Sequence, residues 1–192
     1  MRAPRHRIFT DAKETPDVTL PDDRRSALLD RLADYVLAEG ISAASLRRLA
    51  RAADTSDRML LYYFTDKADV IAATLDHVSA RLVTRLEERT ARVPLPLDRL
   101  CRDLARILFT DDMWPFMRLW LEIAALAGRG DPVYRDLGER LGRGFLDWGA
   151  AQLDSPDPEA RAADAARLFV MMEGTLLLKS VGMDDIAARA VE

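Results

Sequence analysis

The sequence predicts an all-α protein, on three observations. In every long stretch, apolar residues return each three or four positions, as one face of a helix requires. No segment alternates apolar and polar residues with the period of two that marks a half-buried strand. Helix starts and stops punctuate the 192 residues, with Ser, Asp or Asp-Pro ahead of the periodic runs and Gly or Pro behind them.

The elements follow in order. Residues 1–21 are polar, interrupted by Pro4 and Pro16, and read as a disordered basic arm. Pro21-Asp22-Asp23 opens a helix whose stripe is Leu28, Leu32, Tyr35 and Val36, and Gly40 stops it. Ser45 caps a short helix with Leu46, Leu49 and Ala50 on one side and Arg47, Arg48 and Arg51 on the other. Ala53-Asp54-Thr55 forms a turn, and Ser56 caps a second short helix through Met59, Leu60, Tyr62 and Tyr63. From Asp66 a long helix runs to about Arg92, stepping through Val70, Ile71, Leu75, Val78, Leu82 and Leu86 before Pro94 and Pro96. Further helices are expected over 97–109, from Asp111-Asp112 to about Gly128, from Asp131-Pro132 to about Leu153, from Asp157-Pro158 to about Val181, and over 183–191.

Two short helices across a tight turn are a helix-turn-helix, whose second helix can enter a DNA major groove. Three pieces of the stretch from Ser45 to Lys67 carry a family likeness: Ser45-x-Arg47-x-Leu49-Ala50, then Ala53-x-Thr55-Ser56, then Tyr62-Tyr63-Phe64-x-x-Lys67. Here the chain resembles the TetR family of transcriptional regulators. That family usually has Gly where Asp54 stands and an aromatic where Leu61 stands; in this chain the tyrosine falls one place later, at Tyr62. The resemblance implies a three-helix DNA-binding domain over 22–68 and a helical ligand-binding and dimerisation domain over 69–192.

On this reading Arg58, in the first turn of the recognition helix, and Arg47, in the preceding helix, read bases, since Arg donates two hydrogen bonds to guanine O6 and N7. Ser45, Arg48, Thr55, Ser56, Tyr62, Tyr63 and Lys67 complete the expected double-stranded DNA interface, largely as phosphate-positioning groups. Asp57 either accepts from a cytosine amino group or repels the duplex. The basic residues of the arm, Arg2, Arg5, His6 and Arg7, either reach a minor groove or stay solvated. The competing reading of the arginines is plain solvated surface.

Composition sets limits. The net charge is −4, and residues 1–70 hold 12 Lys+Arg against 12 Asp+Glu, so DNA affinity requires local clustering of the basic residues. No apolar run reaches the ~18 residues of a membrane span, no signal peptide is expected, and a cytoplasmic location follows. Cys101 is the only cysteine, which excludes an intrachain disulfide and a cysteine metal site. His6 and His77 are far apart, and neither H-E-x-x-H nor Glu-x-x-His occurs. No cofactor, metal or catalytic constellation is expected.

The stretch from Met113 is dense in large soft side chains. Met113, Trp114, Met117 and Trp120, with Phe169 and Met172 further on, read either as plain core or as the lining of an effector cavity. By resemblance such regulators hold an inducer between their central helices, here expected to be apolar or aromatic. Glu122 and Glu173 fall within apolar helical stretches, where a buried acid needs a partner. Each either anchors a polar group of the effector or pairs with Arg118 or Arg167. Gly138, Gly142 and Gly149, and Ala162, Ala163, Ala165, Ala166 and Gly174, give the last two long helices small-residue faces. These serve either close packing within one subunit or, as the resemblance implies, a homodimer built on a four-helix bundle. The whole points to a ligand-responsive, DNA-binding transcriptional repressor; the alternative is a small-molecule sequestering or protein-interaction module without DNA binding.

Overall fold

A computed structural model describes residues 21–191. The expected arm lies outside these residues. The described residues form nine helices: α1 (Pro21–Glu39), α2 (Leu46–Ala52), α3 (Asp57–Tyr63), α4 (Lys67–Arg89), α5 (Leu97–Leu108), α6 (Trp114–Gly128), α7 (Pro132–Ala151), α8 (Pro158–Ser180) and α9 (Asp184–Ala190). None of them is long and apolar enough to cross a membrane.

Local chemistry sets the head. The Ser45 hydroxyl oxygen accepts from Arg48 N at 3.3 Å and that of Ser56 from Met59 N at 3.2 Å, each filling an orphan donor of a short helix. At α4 the cap is reciprocal: Asp66 accepts from Asp69 N, and Asp69 accepts from Thr65 N. Leu32, Leu49 and Leu60 from α1, α2 and α3 are fully buried together with Val70 of α4. Short helices of seven residues are marginal alone, so this shared core is what holds α2 and α3 in place.

The turn between α2 and α3 explains why a glycine suits position 54. Thr55 N donates to Ala50 O and Asp54 N to Arg51 O, the paired bonds of a Schellman motif, which puts its penultimate residue in the left-handed region. Asp54 occupies it with φ +53°. Asp visits that region more readily than most side chains, and Arg31 braces the turn by donating to Ala53 O at 2.9 Å and lying 3.7 Å from the Asp54 carboxylate.

The expected boundary at residue 68 falls inside α4, whose Val70 and Ile71 pack under the head while Leu75, Val78 and Leu82 continue into the larger helical part. Head and shaft are pinned by charge as well. Arg81 donates to Asp30 and Asp34 of α1, each at 2.7 Å, and His77 Nε2 lies 2.7 Å from Asp30. At its far end α4 is tied by Arg89 to Asp112 and by Arg85 to the Asp112 carbonyl. Beyond it Leu95 and Leu153 form an isolated bridge, Leu95 N donating to Gln152 O and Asp154 N to Leu95 O.

One helix start differs from expectation. Asp111-Asp112 does not open the next helix, which begins at Trp114 with Pro115 in its first turn. Asp112 is drawn off by Arg89 and Thr110, whose hydrogen bonds hold its carboxyl down to about 2.

Candidate DNA interface and effector cavity

The outward surface of the helix-turn-helix carries Ser45, Arg47, Arg48, Ser56, Asp57, Arg58, Tyr62 and Lys67, all exposed, with Thr55 and Tyr63 half-buried. Arg47, Arg58 and Lys67 make no hydrogen bond or ion pair among the described residues, so their charges are available to an anion. Arg48 is partly engaged, donating to Ala43 O at 3.3 Å. Tyr62 is 76% exposed and stands edge-on to Tyr63, and Leu61 is exposed beside it, so the later tyrosine does protrude from the reading helix.

The neutral charge balance of the head resolves locally. Asp30 and Asp34 face α4 and are held by Arg81, while Asp66 and Asp69 are taken up in the α4 cap. Around the turn itself, Arg47, Arg48, Arg51 and Arg58 are opposed only by Asp54 and Asp57.

A cavity of about 100 Å³ lies in the larger part, lined by α4, α6, α7 and α8 and by Leu108 and Phe109 at the end of α5. Of the residues expected at an effector site, Met117, Trp120, Phe169, Met172 and Glu173 line it. Leu75, Val78 and Leu82 of α4, whose helical spacing marked them only as core, line it too, as does Phe145 of α7, one of the large soft side chains of the later helices. Gly142 makes room, since a Cβ there would lie 3.4 Å from the Phe169 ring and 3.6 Å from that of Trp120.

Met113, Trp114 and Glu122 do not line the cavity. Met113 is completely buried before α6, and Trp114 lies under the Lys179 ammonium, which also covers Phe109. Glu122 points to the head instead. Its two oxygens accept from Ile41 N at 2.8 Å and Ser42 N at 2.7 Å, just past the end of α1. One turn earlier on the same helix, Arg118 donates to Leu37 O and Ala38 O, two carbonyls of the last turn of α1. Burial raises the Glu122 carboxyl, but the Ser42 and Ile41 donors and nearby Arg118 outweigh it and leave the group below its usual range. Gly40 is what admits this contact: its φ is +81°, and a Cβ there would sit 2.7 Å from a Glu122 oxygen.

Glu173 has the opposite surroundings. Both its oxygens accept from Trp120 Nε1, at 2.9 and 2.8 Å, and burial pushes its carboxyl up with only partial relief from the indole. The expected arginine partners are absent from both acids as ion pairs: Arg118 serves the α1 carbonyls and Arg167 pairs with Asp164.

Three of the four glycines of α7 turn inward, and Gly144 faces solvent. Gly138 faces Ile123, Gly142 faces Trp120 and Phe169, and a Cβ on Gly149 would meet Leu168 at 3.1 Å, so they serve packing within the chain. The exposed small and apolar stripe is on α8, where Ala163, Ala166, Val170, Gly174 and Leu177 step along one face and lead to Val181.

Residues 29–74 match the family described as bacterial regulatory proteins, tetR family. Over 166 residues the chain is 28% identical to the HTH-type transcriptional regulator BetI of Burkholderia thailandensis, covering 84% of each. Its fold matches a crystal structure of the transcriptional regulator SCO7518 from Streptomyces coelicolor, with TM-score 0.67, 21% identity, and coverage of 88% of this chain and 95% of that one. The multidrug binding protein EbrR in complex with proflavin is 25% identical with TM-score 0.58, over 88% of this chain and 97% of that one.

Proposed function

The chain is a TetR-family transcriptional regulator, and from that premise we propose that it acts as a homodimeric repressor, released from a palindromic operator by a small apolar or aromatic effector. One observation carries the reading: α6 lines the cavity with Met117 and Trp120 while its Arg118 and Glu122 grip the junction between α1 and α2. An occupant that moves α6 therefore strains the hold on the reading head.

On the DNA side, Arg58 and Arg47 read guanine edges in the major groove, each good bidentate pair contributing roughly 1–3 kcal/mol of discrimination. Ser45, Arg48, Thr55, Ser56, Tyr62, Tyr63 and Lys67 fix the register on phosphates, and Asp57 accepts from a cytosine amino group. The Ser45 and Ser56 hydroxyls use an oxygen lone pair for capping and keep the proton for a phosphate. Two such heads follow from pairing along the exposed stripe of α8, which would cover Val170, Leu177 and Val181. The proflavin bound by EbrR supports an effector with a flat aromatic body. Release is a population shift: the effector binds the DNA-incompetent arrangement more tightly and so depletes the competent one. The regulator works in the cytoplasm, where its operator is.

The test is binding to the DNA upstream of its own coding region in a salt series, with wild type and Arg58→Ala. Affinity that falls steeply with salt, and relaxed base preference at one operator position in the variant, is the expected result. Binding no stronger than to random duplex would leave the sequestering module as the function.

A further inference from the structure

We propose that the effector is a small lipophilic monocation, a protonated amine on a ring-sized apolar body, whose ammonium group docks on Glu173. The inference rests on the effector-cavity reading above and assigns the chemistry of its ligand.

The cavity has one ionisable side chain, Glu173. Among its lining side chains only Ser79, Glu173 and the indole N–H of Trp120 are polar; the rest are aliphatic, aromatic or Met. A carboxylate in such surroundings is costly unless it is paired and hydrogen-bonded, and structural acids in this chain find partners. Glu122 holds two backbone N–H groups, and Asp30, Asp76, Asp112, Asp164 and Asp184 each meet a basic side chain. Glu173 has one neutral donor shared between its oxygens and no ion pair among the described residues. An ionised carboxylate offers about four acceptor sites, so most of this one's capacity stays open at a cavity wall. The nearby cations are spoken for: Arg167 pairs with Asp164, and Lys179 with Asp184 at 2.8 Å.

The rest of the wall suits the same ligand. Phe145 and Phe169 lie 6.1 Å apart between ring centroids, and the Trp120 ring reaches the Gly142 gap beside them. Aromatic faces attract a cation within about 6 Å. The chain already uses such contacts, with Arg85 over Phe116 at 5.1 Å. A volume of about 100 Å³ is of the order of the roughly 150 Å³ cavity that takes benzene in another protein. Only a small, single-ring body suits a volume somewhat below that one, and its ammonium supplies the counter-charge that Glu173 lacks.

Three probes share a phenylethyl body and differ in the terminal group, ammonium, methyl or carboxylate: 2-phenylethylammonium, propylbenzene and 3-phenylpropionate. Binding of each to the full chain is measured by calorimetry and by the change in tryptophan fluorescence, in wild type and Glu173→Gln. The variant keeps a carbonyl acceptor for the Trp120 indole, and its melting curve checks that it folds. The expected result is that wild type prefers the ammonium by about tenfold or more over both other probes. In Glu173→Gln that preference disappears while propylbenzene affinity is unchanged. Propylbenzene binding as tightly as the ammonium, or the ammonium surviving Glu173→Gln, overturns the cation and leaves the cavity standing. Tighter binding of 3-phenylpropionate means that Glu173 is held protonated as a donor, and also overturns it. Binding of none of the three, with none displacing DNA, overturns the effector cavity itself.

Discussion

Glu122 and Glu173 lie at two faces of one helix and teach what decides a buried acid's role. Glu122 belongs to α6 and looks away from the cavity, where two backbone N–H groups stabilise its ionised form. Glu173 reaches α6 from α8 and looks into the cavity, where a single indole meets it and burial favours its neutral form. Residue type and local polarity are alike. The difference is whether the neighbours satisfy the charge, and so one acid is a fastener and the other is a vacancy for a charge.

The comparison can be broken most forcefully at Gly40. Gly40→Ala puts a Cβ against the Glu122 carboxylate in a left-handed backbone, so we expect a loss of roughly 2–4 kcal/mol in urea unfolding. It should also weaken the effector's control of DNA affinity, because the grip of α6 on α1 is spoiled. A loss below ~0.5 kcal/mol would mean that Glu122 is not a fastener.

The pH dependence of stability separates the two acids by sign. The folded pKa of Glu122 is depressed, so its contribution is present above the unfolded value and lost as pH falls through the folded one. Glu122→Gln should therefore cost about 1–2 kcal/mol at neutral pH, a difference that shrinks in acid. The folded pKa of Glu173 is raised above its ordinary 4.5, so its contribution is complete below that value and fades as pH rises through the folded pKa. Glu173→Gln should then be neutral or stabilising at pH 7, with the gain vanishing below about pH 4. Parallel pH profiles for the two variants would erase the distinction.

The smallest effect sharpens the donor side. Trp120 N–H is satisfied by Glu173, whereas Trp148 Nε1 is buried with no hydrogen-bond partner among the described residues. Trp148→Phe removes an orphan donor, and its thermal unfolding should be neutral or improved by up to about 1 kcal/mol. Trp120→Phe, which strips Glu173 of its donor, should not share that tolerance.

What was legible in the sequence was what short-range chemistry decides. Ser45, Ser56 and Asp66 cap within three residues of themselves, so the helix-turn-helix and the start of α4 could be read directly. The helical periods placed most of the core, and Met117, Trp120, Phe169, Met172 and Glu173 were marked ahead of the cavity. The rest depends on distant neighbours. Glu122 meets backbone groups 80 and 81 residues away, and nothing local separates it from Glu173. The inward turn of Gly142 and Gly149 likewise depends on where Phe169 and Leu168 of α8 arrive. Asp112 looked like a helix start until Arg89, from another helix, claimed it.

The fastening at the far end of α4 has a mechanical consequence. With Arg89 held to Asp112 and Leu95 bridged to Leu153, that end behaves as a fulcrum. The 23-residue helix is then a lever arm about 35 Å long at 1.5 Å per residue. A tilt of roughly 3° about the fulcrum swings its other end, where Val70 and Ile71 pack under the head, through about 2 Å. In the homodimer proposed above both arms would swing, so a cavity change too small to disturb the core would become a misfit between two reading helices and the fixed repeat of the duplex.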